Sequence, residues 1–273
     1  MDDKGRDSGH LMLITPERVF YAGLLGRPRE RRPGAFHVYV AIKGGLWLAT
    51  ADGRKAHGEL VAVLPNVRHT IASDHRSVIC IVIEPESVRN GTFDEWARRM
   101  SGAEREVFAG RICAAYDQLL QQPYRHDITR AEFDIMCFGE ALPQRPLDPH
   151  VTRAIAQIGR FSGEPVTAAS CAAEAGLSSS RFLHLFKQDT GISFRSFRAW
   201  KRARHLLNFA NQDVNLAHLA QDIGYPDSTH FSHSIRRFYG LKPRAIFSGS
   251  RDLAIYRSHD ADLADSALTQ EAG

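Results

Sequence analysis

The side chains with the most to offer chemically lie in two short segments of the last third of the chain. SSRFLHLFKQDT (179–190) reads as a helix that turns Ser180, Leu183, His184 and Lys187 outward. DSTHFSHSIRRFY (227–239) does the same with Thr229, His230, Ser232, His233 and Arg236. The opposite faces are apolar: Phe182, Leu185 and Phe186 in the first segment, Phe231, Ile235 and Phe238 in the second. The outward sets hold hydroxyls, imidazoles and cations. That is the equipment for hydrogen-bonding base edges and neutralising phosphates. Leu183 has no such bond to give, but suits a thymine methyl.

Each set needs an element to aim it, and the sequence supplies that element twice. Ala172-x-x-x-Gly176 recurs 48 residues later as Ala220-x-x-x-Gly224. Beyond the glycine the offset becomes 49: Phe182 matches Phe231, Lys187 matches Arg236, and Gly191 matches Gly240. Each copy reads as a helix-turn-helix. A first helix stops at a glycine, where a left-handed cap costs little. The alanine four residues earlier lets a second helix come close. Ser178 or Asp227 then caps that second helix. Between the copies, FRSFRAWKRARHLLNFA (194–210) reads as an amphipathic helix whose Arg195, Arg198, Lys201, Arg202 and Arg204 can reach phosphates. At about 1.5 Å per residue it would span about 25 Å. That suits a strut setting two reading helices into adjacent major grooves, roughly 34 Å apart.

The charge is distributed to match. Residues 151–250 hold 13 Lys/Arg against six Asp/Glu, a balance of +7 in a chain whose total is +4. The rest of the chain is therefore acidic on balance, and the cationic surface sits in one block, as a polyanion partner requires. With 43% hydrophobic and 24% charged residues, the 273-residue chain is neither collagenous, low-complexity nor wholly disordered. No apolar run approaches a membrane span of about 20 residues. MDDKGRDSGH lacks the apolar core of a signal peptide, so the expected location is the cytoplasm. Cys80, Cys113, Cys137 and Cys171 are too far apart for a zinc knuckle or a disulfide framework.

The front half has a different texture. FHVYVAI, GLWLAT, ELVAVLP and SVICIVIEP are strand-like runs divided by KGG, ADGRKAHG, PNVRH and SDHRS turns. They suggest an antiparallel sandwich or barrel. After Pro85 come helical segments, with Val107, Ile112, Ala115 and Leu119 marking the apolar face of one of them. That face is the expected surface for pairing two subunits. LPQRPLDPH (142–150) reads as a linker and 251–273 as a polar, frayed tail. The expected fold class is thus α+β in two domains: a β-barrel over 1–90 with trailing helices over 91–141, then an all-α domain over 151–250. His37, His57, His69 and His75 are present, but no spacing gathers the three ligands that a mononuclear metal site needs. No metal and no cofactor are expected.

IGYPDSTHFSHSIRRFYGLKP and AAEAGLSSSRFLHLFKQDTGISF resemble the paired motifs of the AraC/XylS family of bacterial transcription regulators, over about 165–247. The resemblance implies base contacts by Ser180, Leu183 and His184 from the first reading helix, and by Thr229, His230, Ser232 and His233 from the second. It implies phosphate contacts by Lys187, Arg202 and Arg236. Family members often carry arginine where this chain has His184 and His233. Histidine is a shorter donor, neutral above an unperturbed pKa of about 6.5. GELVAVLPNVRH is similar to a cupin motif, with Gly58, Pro65 and His69, which implies a cupin-like barrel. The family's barrel commonly binds a small regulatory molecule, and Tyr39, Lys43, Trp47 and His69 are the candidate lining. The leading expectation is a dimeric, sequence-specific regulator of transcription, by family habit an activator that touches RNA polymerase. The competing expectations are a cupin-type metal-dependent enzyme with a DNA-binding appendage, and a non-specific DNA-coating protein.

Overall fold

A computed structural model describes residues 9–121, 128–160, 166–249 and 252–258. The front half begins with eight strands: β1 (Leu11–Ile14), β2 (Arg18–Leu24), β3 (Phe36–Ala41), β4 (Leu46–Thr50), β5 (Lys55–Gly58), β6 (Leu60–Val63), β7 (His69–Ser73) and β8 (Ser77–Ile83). Three helices follow: α1 (Thr92–Ser101), α2 (Arg105–Gln121) and α3 (Arg130–Phe138). The strand-like runs of the sequence are β3, β4, β6 and β8. β5 and β7 lie in stretches whose composition reads as turn.

The strands form two sheets rather than a closed barrel. One is six-stranded, in the order β6-β3-β8-β2-β1-β9, where β9 is Ala254–Arg257. The other is three-stranded, β5-β4-β7. The physical reason lies in the two faces of the large sheet. Alternate residues along a strand point to opposite faces. Phe36, Val38, Ile79, Ile81 and Ile83 pack toward the helices, with Trp96, Phe108, Ile112 and Phe133. Tyr39, Val78, Cys80 and Val82 share the other core with Leu46 and Ile71 of the small sheet and with Trp200, Phe231 and Phe238 of the C-terminal half. Both faces are buried, so β8 reads as an unbroken apolar run, and helices complete the closure that strands alone would give a barrel.

Helix α2 buries Phe108, Ala109, Ile112, Ala115 and Leu119. Val107, expected on that face, is 59% exposed, and Phe108 takes its place. The apolar face of α2 is thus consumed inside the subunit. Arg18 on β2 grips Asp134 on α3 through a buried fork, Nε to Oδ1 at 2.8 Å and Nη2 to Oδ2 at 3.1 Å. Asp134 Oδ2 also accepts the Leu142 N–H at 3.1 Å, where the linker begins. The linker is fastened along its length: Arg145 donates to the carbonyls of Val88 (3.0 Å) and Asp189 (2.6 Å).

The C-terminal half is helical, as expected: α4 (Pro149–Arg160), α5 (Ala168–Glu174), α6 (Ser179–Thr190), α7 (Phe194–His205), α8 (Leu216–Asp222), α9 (Ser228–Tyr239) and α10 (Pro243–Gly249). The expected tail needs correction. Within it Ala254–Arg257 is strand β9, paired parallel with β1, with Ala254 donating to the His10 carbonyl at 3.1 Å and Ser258 to that of Ile14 at 2.9 Å. Residues 259–273 of that expected tail lie outside the described residues. Among the described residues, no helix is long and apolar enough to cross a membrane.

Candidate nucleic-acid interface

The two repeats fold to the same local geometry, bond for bond. In the first, Gly176 takes a left-handed conformation (φ 64°) and Leu177 N–H donates back to the Ala172 carbonyl at 2.9 Å. In the second, Gly224 does so (φ 80°) and Tyr225 N–H donates to the Ala220 carbonyl at 2.8 Å. Both alanines are buried against the following helix. Ser178 caps α6 by accepting the Arg181 N–H at 3.3 Å, and Asp227 caps α9 by accepting that of His230 at 2.8 Å. Both reading helices end at a left-handed glycine, Gly191 and Gly240, bonded to the carbonyls of Lys187 and Arg236.

Packing fixes which face stays outside. Phe182 and Phe186 of α6 sink into a cluster with Phe194 and Phe197, with edge-on ring contacts at 5.1–5.7 Å. Leu185 is half-buried. Phe231, Ile235 and Phe238 of α9 are buried. What remains outward is the predicted set. Ser180, His184 and Lys187 are exposed, and Leu183 is 41% exposed. Thr229, His230, His233 and Arg236 are exposed, with Ser232 half-buried. His230 is partly committed, since its Nδ1 sits 2.8 Å from Asp227 Oδ2. The two bonds from His230, the backbone one first, hold the Asp227 carboxyl below its ordinary range.

The connecting helix departs from expectation. Helix α7 has 12 residues, about 18 Å of helix, and then tightens into a 3-10 turn at Leu206–Phe209. Two of its cations point inward. Lys201 Nζ pairs with Glu84 at 2.8 Å and with Glu86. Arg204 pairs with Glu84 at 2.7 Å and donates to the carbonyls of Thr15 and Arg18. Arg202, expected on a phosphate, donates to the Gly224 carbonyl at 2.6 Å and lies over the Tyr225 ring. These three serve the fold of the chain. Arg195 stays exposed, and Arg198 leans on Phe194.

A helix-turn-helix domain family matches residues 171–248, which hold both repeats. The HTH-type transcriptional activator RhaS of Escherichia fergusonii is 32% identical over 40% of this chain and 39% of its own. The arabinose operon regulatory protein of Escherichia coli K12 is 28% identical over 39% of this chain and 37% of its own. The likeness to both relatives is thus confined to the part of the chain that holds the helix-turn-helix domain. The chain spans less than two fifths of the length of these curated relatives. Its overall fold is similar to that of ToxT from Vibrio cholerae, with a TM-score of 0.54 at 12% identity over 85% of this chain and 97% of that one.

The candidate effector residues are scattered. Tyr39 and His69 are buried and meet, hydroxyl to Nε2, at 3.3 Å. Lys43 is exposed. Trp47 is 54% exposed on the small sheet, its ring tilted against His57 with centroids 3.9 Å apart and its N–H on Asp74. The four do not line one pocket. A cavity of about 540 Å³ is lined by Tyr39 and His37 but not by Lys43, Trp47 or His69. His37 bonds the Ala35 carbonyl and His75 accepts from Ser77. Among the described residues no three His, Cys, Asp or Glu side chains gather as metal ligands. The sequence reading missed Arg31, buried beside this cavity. Its one signal was the density of arginines in RPRERRPG (27–34).

Proposed function

We propose that the chain is a sequence-specific regulator of transcription that reads double-stranded DNA with two helices. The observation that supports this reading most strongly is the duplicated unit, with capping, turn and terminal glycine repeated bond for bond and polar faces left outward on both copies. A helix held by its aromatic face and open on the other is the shape that a major groove admits. Ser180, Leu183 and His184 on α6, and Thr229, His230, Ser232 and His233 on α9, are the base-reading residues of this proposal. Lys187 and Arg236 take phosphates, joined by Arg195.

The finer parts of the reading are proposals too. The regulator acts in the cytoplasm, as an activator in contact with RNA polymerase, by analogy with the relatives. It acts as a homodimer, with Val107, Leu120 and Ile135 as the apolar residues still exposed on α2 and α3 to pair two subunits. A small molecule bound in the N-terminal half controls it. No observation favours the enzyme or the DNA-coating alternative.

Selection of bound duplexes from a random pool, at stated salt, tests the central reading. Two enriched boxes about ten base pairs apart are expected. Equal recovery of all sequences would leave only charge-driven coating.

A further inference from the structure

The second reading helix is braced by a segment of the front half that carries charge of its own. Residues 26–33, between β2 and β3, cross the C-terminal end of α9. Arg32 N–H donates to the Arg237 carbonyl at 2.7 Å. A Cβ on Gly240 would meet the carbonyl oxygens of Arg29 and Glu30 at 3.1 and 3.2 Å, and one on Gly26 would meet the Leu241 side chain at 3.1 Å. On its other side the segment is tied to β7, where Arg31 and His69 exchange backbone bonds of 2.8 and 2.9 Å. Pro28 and Pro33 each fix a backbone angle within it. The segment is therefore a fixed part of the surface beside α9 and not a loose arm.

Part of its charge faces solvent unbalanced. Arg31 is buried. Glu30, the one acid of the segment, faces Arg68 at 3.5 Å, and Arg32 Nε donates to the Asn66 carbonyl at 2.9 Å. Arg27 and Arg29 are exposed, and among the described residues neither side chain has a hydrogen-bond or ion-pair partner. Alongside them Arg236, Arg237, Lys242 and Arg244 are exposed, with no Asp or Glu from 236 to 244. Several surface arginines elsewhere are paired: Arg54 with Asp52, Arg99 with Glu104 and Glu140, and Arg130 with Glu17. An uncompensated cluster of one sign repels itself and attracts a polyanion.

Gly240, against which the segment packs, follows Arg236 by four residues, about one turn of helix. The segment thus continues, on chain from the other half, the line of cations that ends α9. We infer that residues 26–33 are a DNA contact lent by the front half, in which Arg27 and Arg29 take backbone phosphates next to the one held by Arg236. The inference rests on the DNA reading above and widens its footprint. Phosphate contacts position a protein and carry no sequence information. The segment therefore adds affinity and leaves the choice of bases to α6 and α9.

Salt-dependent titration of the full chain with its selected duplex tests this, comparing wild type with the double variant Arg27→Gln, Arg29→Gln. Each phosphate contact contributes about 0.9 to the salt slope, so the variant is expected to lose about 1.8. Its deficit in affinity is then about twelvefold larger at 50 mM than at 200 mM salt. The melting temperature and the two selected boxes are expected to stay the same. Arg98→Gln, an exposed arginine of α1 on the opposite face of the large sheet, controls for net charge and is expected to leave the slope unchanged. Methylphosphonate substitution, one phosphate at a time, locates the contacts. Phosphates beside those that Arg236→Ala makes insensitive are expected to matter to wild type and not to the double variant, a site-specific effect that misfolding does not produce. An unchanged slope, tighter binding by the double variant, an equal effect of Arg98→Gln, or lost phosphates remote from those of Arg236 overturns the inference. If wild type selects two boxes and the double variant matches it, this contact fails and the DNA reading stands. If wild type binds no duplex, both fail.

Discussion

The indole N–H of Trp200 donates to both carboxylate oxygens of Glu84, at 3.1 and 3.0 Å, from 116 positions away in the chain. Trp200 belongs to the helix between the two repeats, and Glu84 follows the last strand of the front half. The same carboxylate meets Lys201 and Arg204. Burial opposes its charge most strongly, yet Lys201 and then Arg204 hold it below the ordinary carboxylate range. Neutralising it takes the paired carboxylate from buried Arg204 and leaves Lys201 with Glu86 alone. Glu84→Gln is therefore expected to cost about 3–5 kcal/mol of stability. Trp200→Phe, which removes one bond to a charged group, costs about 1.5–3 kcal/mol. Urea denaturation of both variants checks the order. A smaller loss for Glu84→Gln would show that the ion cluster does not hold the halves together.

Two buried histidines and one half-buried histidine give the chain an acid-side weakness. Burial is the leading cause in each case, pushing His37 down to about 3, and His69 and His205 to about 4. In the unfolded chain each titrates near 6.5. Their folded values are depressed, so the unfolded chain binds more protons between those limits. Stability is whole above about pH 6.5 and falls as pH drops toward 4. Each histidine adds a slope approaching about 1.4 kcal/mol per pH unit. Glu84, also depressed, keeps its full contribution above the ordinary carboxylate value and loses it as pH falls from there toward its own lower one. Glu86, raised by burial, takes up a proton early in the folded state and blunts the slope where it titrates. Denaturation midpoints at pH 7, 6 and 5 should fall steadily, and less in His205→Gln. A flat profile would mean that these rings are already charged in the fold.

The reading helices were legible because everything that builds them is local. Gly176, Ser178 and Phe182 lie within one turn and one helix of each other, and the second copy repeats them. The inward turn of Lys201 and Arg204 was not legible, because their partners Glu84 and Glu86 come from the other half of the chain. Without those partners, a cation on an amphipathic helix reads as solvated. The open sheet was hidden for a similar reason. An apolar run such as SVICIVI shows that both faces are covered, but not that helices cover them. Phe108 displaced Val107 because a one-residue rotation of a helix stripe is set by its neighbours. β9 was unreadable as a strand because AIYR gains its ladder only from β1, at the opposite end of the sequence.

The split among the cations of α7 is measurable. Arg195 is exposed, whereas Lys201 is paired with buried carboxylates. Arg195→Ala is expected to change stability by less than about 0.5 kcal/mol and to flatten the salt slope of duplex binding by about 0.9. Lys201→Ala is expected to behave oppositely, with a loss of about 3 kcal/mol or more in stability and an unchanged slope. Fluorescence titrations across a salt series, run beside melting curves, separate the two. Equal effects of both variants on the salt slope would return Lys201 to the DNA surface.

The C-terminal strand makes its own demand. Ala254 N–H is one of the bonds that hold β9 on β1, and proline there removes it. Ala254→Pro is expected to lose about 1–3 kcal/mol and to leave the edge of β1 open to pairing with another chain. Melting curves give the first effect, and light scattering over time gives the second. Unaltered stability would mean that β9 adds nothing to the sheet.

Arg236 and His233 sit three residues apart on the exposed face of α9, and the proposed mechanism gives them different work. Arg236 is placed to neutralise a phosphate, a contact that carries no sequence information. Arg236→Ala should therefore weaken binding to every duplex about equally and reduce the salt slope by about one. His233 is placed to read a base edge. His233→Ala should leave random duplexes nearly untouched and cost about 1–3 kcal/mol of preference at one or two base pairs of the selected site. The measurement is a matrix of both variants against the selected duplex and its single base-pair changes, at two salt concentrations. If His233→Ala lowered all duplexes alike, the imidazole would be a phosphate contact and α9 would sit in the groove by another face.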